Sequence, residues 1–337
     1  MMMPELRYAF APMEGVTGKI LRELHAAYFP GVDRYCMPFM TPTDVHKLTD
    51  RQLRALDPGP LGIDRLLPQV LTRSAEDFLW FASAIAGLGY REVNLNLGCP
   101  SGTVVSKGRG AGMLRDPDAL DRFLDQIFRA SPIAVSVKTR IGLEEPAEFG
   151  PILQVLARYP IRELTVHPRT RCEMYTGGVH LDAFAEAVRV ISVPLCYNGN
   201  LFSPESVFLL RERFPSVSSV MIGRGLLADP ALVTRCRGGE RSRETLISFH
   251  NALCAAYLER LHPNQGALPK LKEIWAMLSL LFADDGSWKR MRKCKTWPEF
   301  YPLTQQLLYT GTLLPEADFS RQNQSDAIPR PNPESNA

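Results

Sequence analysis

The chain has 337 residues, 45% of them apolar and 22% charged, with a formal net charge of +3. That length suits one large domain plus a smaller one, no run approaches the ~18 uninterrupted apolar residues of a membrane helix, and Met1–Arg7 lacks the basic and apolar stretches of a signal peptide. Seven cysteines at 36, 99, 172, 196, 236, 254 and 294, without any Cys-x-x-Cys, and six histidines without a His-x-x-x-His pair, argue against a disulfide framework, a zinc knuckle or an iron–sulfur cluster; the expectation is a cytoplasmic protein with no membrane and no metal partner.

Short β-type runs alternate with longer amphipathic stretches. The strands expected in chain order are 8–13, 33–37, 66–71, 92–97, 133–138, 163–167, 194–198 and 219–222. Between them lie helical patterns at 19–28, 75–88, 117–130, 147–159, 181–191 and 204–214, several opening with a cap such as Ser74, Asp116, or Ser203 followed by Pro204. Many of the strands are apolar almost throughout, as when both faces are buried. Eight such strands with helical crossovers predict an α/β fold, a (β/α)8 TIM barrel. An open doubly wound sheet is the alternative, but no Gly-x-Gly-x-x-Gly follows the first strand.

After Pro230 the pattern turns helical, with helices expected at 245–261, 268–282 and 297–309. Leu271, Ile274, Trp275, Leu278 and Leu281 form a helical stripe that reads as core. The expected division is a barrel domain over 1–235, a small all-helical domain over 236–314 and a disordered tail over 315–337, polar and proline-rich. Residues 235–300 carry twelve Lys or Arg against seven Asp or Glu, so the rest of the chain is slightly negative. The positive excess suits contact with a polyanion.

In a barrel, chemistry sits at the carboxyl ends of the strands. The fourth strand places Asn94 and Asn96 on one face and ends at Gly98-Cys99-Pro100, followed by a glycine-rich basic loop, 101–112. Other strand ends carry Pro12 and Met13, Gln69, Lys138 and Arg140, His167, Asn198-Gly199-Asn200, and Gly223-Arg224-Gly225. No paired carboxylates or carboxylate–histidine cluster stands there, which speaks against glycoside hydrolysis and a catalytic metal. Glycine turns after strands seven and eight, with the Arg224 fork, suit a phosphate. Gln69 and Asn198 suit a planar heterocycle, and Lys138 suits negative charge at the N1/O2 side of a reduced flavin. The set therefore fits FMN. Singly, a strand-ending lysine, a buried histidine or an Asn-Gly turn each has a structural explanation; their shared position at one end of consecutive strands gives them weight.

Over about residues 8–300 the chain resembles the tRNA-dihydrouridine synthases. The matching motifs are 11–17 (APMEGVT), 94–100 (NLNLGCP), 108–112 (GRGAG), 138–140 (KTR), 167–170 (HPRT), 198–200 (NGN) and 222–225 (IGRG). The resemblance implies FMN held by Pro12, Met13, Gln69, Lys138, His167, Asn198, Gly199, Asn200, Gly223 and Arg224, with Cys99 as the catalytic proton donor. Asn200 replaces the acid that the family often has there.

The implied reaction is reduction of the C5–C6 double bond of a uridine in tRNA to dihydrouridine, with NADPH or NADH as reductant. Asn96, Lys138, Arg140 and His167 are candidates to hold the base, and the glycine-rich loop is expected to close over it. Lys289, Arg290, Arg292 and Lys293, flanked by Trp288 and Trp297, are expected to grip the RNA backbone. The expected state is a monomer. An FMN barrel acting on a small molecule, such as a dihydroorotate or an enoate, and a non-catalytic RNA-binding protein are the competing readings.

Overall fold

A computed structural model describes residues 5–322. They pack as two compact units. The first holds the chain up to Pro12, Asp33–Gly199 and Arg211–Met221; the second holds Met13–Val32, Asn200–Leu210 and the chain from Ile222 onward. This division differs from the expected cut at 235/236, for a reason visible in the second unit's core.

The strands are β1 Arg7–Phe10, β2 Arg34–Cys36, β3 Leu66–Leu67, β4 Gln69–Val70, β5 Glu92–Leu97, β6 Ala134–Arg140, β7 Leu164–His167, β8 Leu195–Tyr197 and β9 Ser219–Ile222. Their order in the sheet is β3-β2-β1-β9-β8-β7-β6-β5-β4. Only Pro68 separates β3 from β4. It has no N–H to give a ladder, so it breaks one strand into two short ones. β3 pairs in parallel with β2 and β4 with β5. The two ends of the order are thus one chain segment, and the sheet closes as the expected eight-stranded barrel.

Inside the barrel, Ala9, Ala11, Cys36, Leu67, Cys196 and Met221 form a buried cluster of mostly small side chains. The crossover helices follow their caps. Ser74 accepts from Asp77 N at the start of Ala75–Gly87, and Asp116 from Ala119 N at the start of Pro117–Ala130, with Pro at the first helical position. The helix expected over 147–159 is shorter, a 3-10 turn at Pro146–Glu148 leading into Phe149–Leu156.

The second unit is helical. Its long helices are Lys19–Tyr28, Arg243–Arg260, Leu268–Leu278 and Trp297–Thr310. The stripe expected as core is core: Trp275, Leu271 and Leu281 have no exposed surface. Phe249 packs edge-on against Phe29 at 5.1 Å and against Tyr28 at 6.0 Å. Helix Lys19–Tyr28 is therefore part of this core although it lies in the first tenth of the chain. The segment expected to start a disordered tail is also ordered in part. Phe319 is fully buried and stacks on Phe202 at 3.6 Å, and Glu316 forms a two-point pair with Arg235. Residues 323–337 of that expected tail lie outside the described residues.

Candidate active site

The strand register stacks the polar residues of the barrel in layers. Asn94 lies opposite Gln69 on β4 and Ser136 on β6. Asn96 lies opposite Lys138, and Arg140 opposite His167. Side chains alternate along a strand, so Asn94 and Asn96 share a face, and so do Lys138 and Arg140.

In the lower layers the amides satisfy one another. Gln69 Nε2 donates to Asn94 Oδ1 at 2.7 Å, Asn96 Nδ2 to Gln69 Oε1 at 2.8 Å, and Asn94 Nδ2 to Ser136 Oγ at 3.0 Å. Gln69 is fully buried in this chain of amides. Asn96 Oδ1 meanwhile accepts from the backbone N–H of Gly98 at 3.0 Å and of Cys99 at 2.8 Å. Asn96, expected to hold the base, thus fixes the loop that carries the thiol.

The Cys99 loop carries regular structure of its own. It forms a helical turn at Gly102–Val105 and a 3-10 stretch at Gly110–Arg115. Ala111 N donates to Cys99 O at 3.2 Å. Gly110 has φ +57°, and a Cβ there would stand 2.9 Å from Cys99 Cβ. The glycine is needed both for its backbone conformation and for that close approach. Cys99 itself is half-buried, so its thiol can meet a ligand.

Arg140, expected to hold the base, is engaged by the protein's own carbonyls. It is 1% exposed, and its guanidinium donates to the carbonyls of Gly98 (3.0 Å), Thr170 (2.8 Å) and Met174 (2.7 Å). The fork is spent on tying the Cys99 loop to the loop after β7. In that second loop Tyr175 is 44% exposed, with the Arg140 guanidinium 5.4 Å from its ring centroid and the His167 ring at 6.2 Å. The signal for it in the sequence is a single aromatic, Tyr175, between Arg171 and Gly177 in the loop that follows a strand end.

Lys138 is half-buried, and among the described residues no hydrogen bond or ion pair holds its ammonium. Loss of hydration, followed by the nearby Arg140 charge, pulls its pKa down to about 8. His167 is buried, and its Nε2 lies 3.4 Å from a guanidinium nitrogen of fully buried Arg169. A guanidinium only donates, so Nε2 is the acceptor in this contact. Asn198 Nδ2 donates to Met221 O at 2.6 Å. Gly199 is tightly set: a Cβ would lie 3.1 Å from Val179 and 3.3 Å from the Tyr197 hydroxyl.

In the second unit, Arg224 donates to Asn200 Oδ1 at 3.2 Å and lies over the Phe202 ring at 5.4 Å. Asn200 sits at φ +39°, a conformation asparagine tolerates better than most residues. Gly225 meets the same turn, since a Cβ there would be 2.2 Å from Leu201 O. Gly223, immediately before Arg224, is half-buried. Met13 N is held by Thr17 Oγ1 at 2.8 Å.

The C-terminal basic excess is narrower than its composition implies. Arg235 and Arg241 both pair with fully buried Asp229 at 2.8 Å. Arg237 donates to Gly31 O, Arg243 to Leu308 O and Gly311 O, Lys270 to Gly15 O, and Lys272 to Arg292 O and Cys294 O. Lys289, Arg290, Arg292 and Lys293 are exposed and make no ion pair among the described residues. Trp288 and Trp297 are half-buried, Trp297 stacked on Tyr301 at 5.2 Å. Among the described residues no helix is long and apolar enough to cross a membrane, and no His/Cys/Asp/Glu group could hold a metal ion.

The family model described as dihydrouridine synthase matches residues 9–299. "Probable tRNA-dihydrouridine synthase 1" of Synechocystis sp. is 30% identical over 268 residues, 76% of this chain and 72% of that protein. "tRNA-dihydrouridine synthase B" of Pseudomonas aeruginosa is 29% identical over 232 residues, 66% of this chain and 67% of that one. Among solved structures, morphinone reductase superposes with a TM-score of 0.51 at 15% identity, over 71% of this chain and 88% of that one. A 2-naphthoyl-CoA reductase complex gives 0.52 at 10% identity, over 69% and 50%. At such identities the two structures are alike in fold.

Proposed function

Since the chain belongs to the dihydrouridine synthase family and is an oxidoreductase, we propose that it reduces the C5–C6 double bond of a uridine in tRNA, using FMN and NADPH. The observation that carries this reading is Cys99, fixed through its amide by Asn96, one strand away from a lysine whose ammonium has no partner among the described residues.

The residues fit a flavin. An unpaired, partly desolvated ammonium is costly unless a ligand brings it an acceptor or a negative charge, and Lys138 is such a group. Lys138, His167 and Asn198 are the polar contacts proposed for the ring. Gln69 supports them from below through Asn96. Asn200, Gly223 and Arg224 are proposed for the phosphate end, and Pro12 and Met13 for the backbone contacts, on the family pattern. Held by these residues, FMN would supply hydride chemistry at C6 of the uracil, with NADPH as the source of its electrons.

The chain's own part is the proton. Hydride addition leaves an electron pair at C5, and the Cys99 S–H bond breaks to form the C5–H bond. The thiolate then takes a proton from water. Cys99 must therefore arrive as thiol, the reverse of what a nucleophilic cysteine needs. Arg140 and Asn96 act through the loop, holding Gly98 and Cys99 in place. The uracil has to leave its stack to reach the thiol, and Tyr175, exposed beside Arg140, offers it a ring to rest on.

Purified protein, NADPH and tRNA from a strain lacking dihydrouridine provide the test, with the product mapped by position. Dihydrouridine at one site supports the reading; NADPH oxidation by a free enone with no product in tRNA returns the small-molecule alternative.

Two further results are expected. Lys138 loses its charge as pH rises through about 8, so FMN retention in equilibrium dialysis falls across pH 7–9 in the wild type and is flat in Lys138→Met. A flat wild-type curve removes Lys138 from the flavin contacts. The sign for stability is opposite: the folded-state pKa lies below the usual 10.5, the unfolded chain binds more protons between the two values, and this lysine's contribution to stability rises with pH there. The C-terminal cluster gives the other result. Replacing Lys289, Arg290, Arg292 and Lys293 with Ala lowers the slope of log affinity for tRNA against log salt by about 3. An unchanged slope removes this patch from the RNA contacts.

A further inference from the structure

We propose that Arg73, Lys107, Arg109 and Arg171 form a second RNA-phosphate surface, in the first unit, around the Cys99 loop. The inference rests on the tRNA reading and adds to it the residues that grip the backbone of the nucleotide being reduced.

The four cations come from three places in the sequence and meet one loop. Lys107 and Arg109 lie in it. Arg73, from the loop after β4, reaches Gly108: its guanidinium nitrogen would be 3.5 Å from a Cβ there. Arg171, from the loop after β7, donates through Nε to Pro100 O at 3.2 Å and lies 3.8 Å from the Cβ position of Gly102. Arg73 and Lys107 are exposed, and Arg109 and Arg171 half-buried. None of the four makes an ion pair among the described residues. This contrasts with Arg235 and Arg241, whose charges are answered by Asp229.

A second observation points to an acceptor from outside the chain. Arg109 Nε is buried with no hydrogen-bond partner among the described residues. A buried donor left unsatisfied costs free energy, and a phosphate oxygen satisfies a guanidinium best. Four cations that make no ion pair among the described residues, grouped around the thiol loop, suit the phosphodiesters on either side of a flipped nucleotide, whose base alone would enter the barrel.

The test is a tRNA titration at several salt concentrations. It compares wild type, Arg73→Gln/Lys107→Gln and the C-terminal patch variant, with thermal unfolding to confirm that each is folded. Both rim side chains are exposed, so the double variant keeps its fold. Losing two phosphate contacts lowers the salt slope by about 1.4–1.8 and the affinity roughly 30-fold near 0.1 M salt. That result supports the rim. If the double variant matches wild type while the C-terminal variant weakens, the protein binds RNA but not here, and the proposal is overturned. A wild type that binds no tRNA overturns the rim together with the reading beneath it.

Discussion

Cys99→Ala lowers the rate of dihydrouridine formation by about 10²–10⁴-fold, the range lost when a positioned general acid is removed. The thiol is half-buried, and the backbone of residue 99 is held by Asn96 and Ala111. Alanine therefore leaves the loop standing, and the loss reports proton supply. Single-turnover reduction of tRNA by protein loaded with reduced flavin is the measurement, with flavin content checked by absorbance. A rate within about five-fold of wild type would mean that water or another group protonates C5, and Cys99 would drop out of the chemistry.

Arg140→Ala has the largest expected effect on stability, about 3–5 kcal/mol, read from denaturant unfolding. The substitution strips three carbonyls of charged donors, each such bond contributing about 1.5–3 kcal/mol, with part recovered as water enters. A milder change separates positioning from recognition. Arg140→Lys keeps the charge but not the fork, so it cannot hold Gly98, Thr170 and Met174 together. Its expected signature is a fall in kcat of at least ten-fold with KM for tRNA near wild type. A raised KM with unchanged kcat would return Arg140 to the direct substrate contacts expected from sequence.

The barrel was legible because its signals are local and redundant. Helices Lys19–Tyr28 and Pro117–Ala130 fall at the expected bounds, the second with its cap and N-terminal proline in plain view. The split of the third strand was legible too, at Pro68, although the run was read as continuous. So was helix Asp50–Leu56, announced by Thr49 and Gln52 as a capping box and passed over in the loop after β2. What sequence could not show is where long side chains spend their donors. Arg140 and Asn96 stand at the right strand ends for substrate, yet both serve the loop that carries Cys99. Composition likewise counts Arg235 and Arg241 as free charge when Asp229 and Glu316 pair with them. The burial of Phe319 depends on Phe202, more than a hundred residues earlier, and no local pattern encodes that pair.

The second unit takes its core from segments far apart in the chain. Tyr28 and Phe29 rest on Phe249, which leaves the ribosome some 220 residues later. At ordinary elongation speeds that is a wait of roughly 10–40 s. During that interval helix Lys19–Tyr28 has an apolar face and no partner to receive it. Synthesis of this protein thus contains an obligatory period of exposed hydrophobic surface near the amino terminus, the kind of surface that a ribosome-associated chaperone holds. By the same reasoning, a fragment begun at residue 236 would lack the aromatic cover of Phe249 and would not be a freestanding domain.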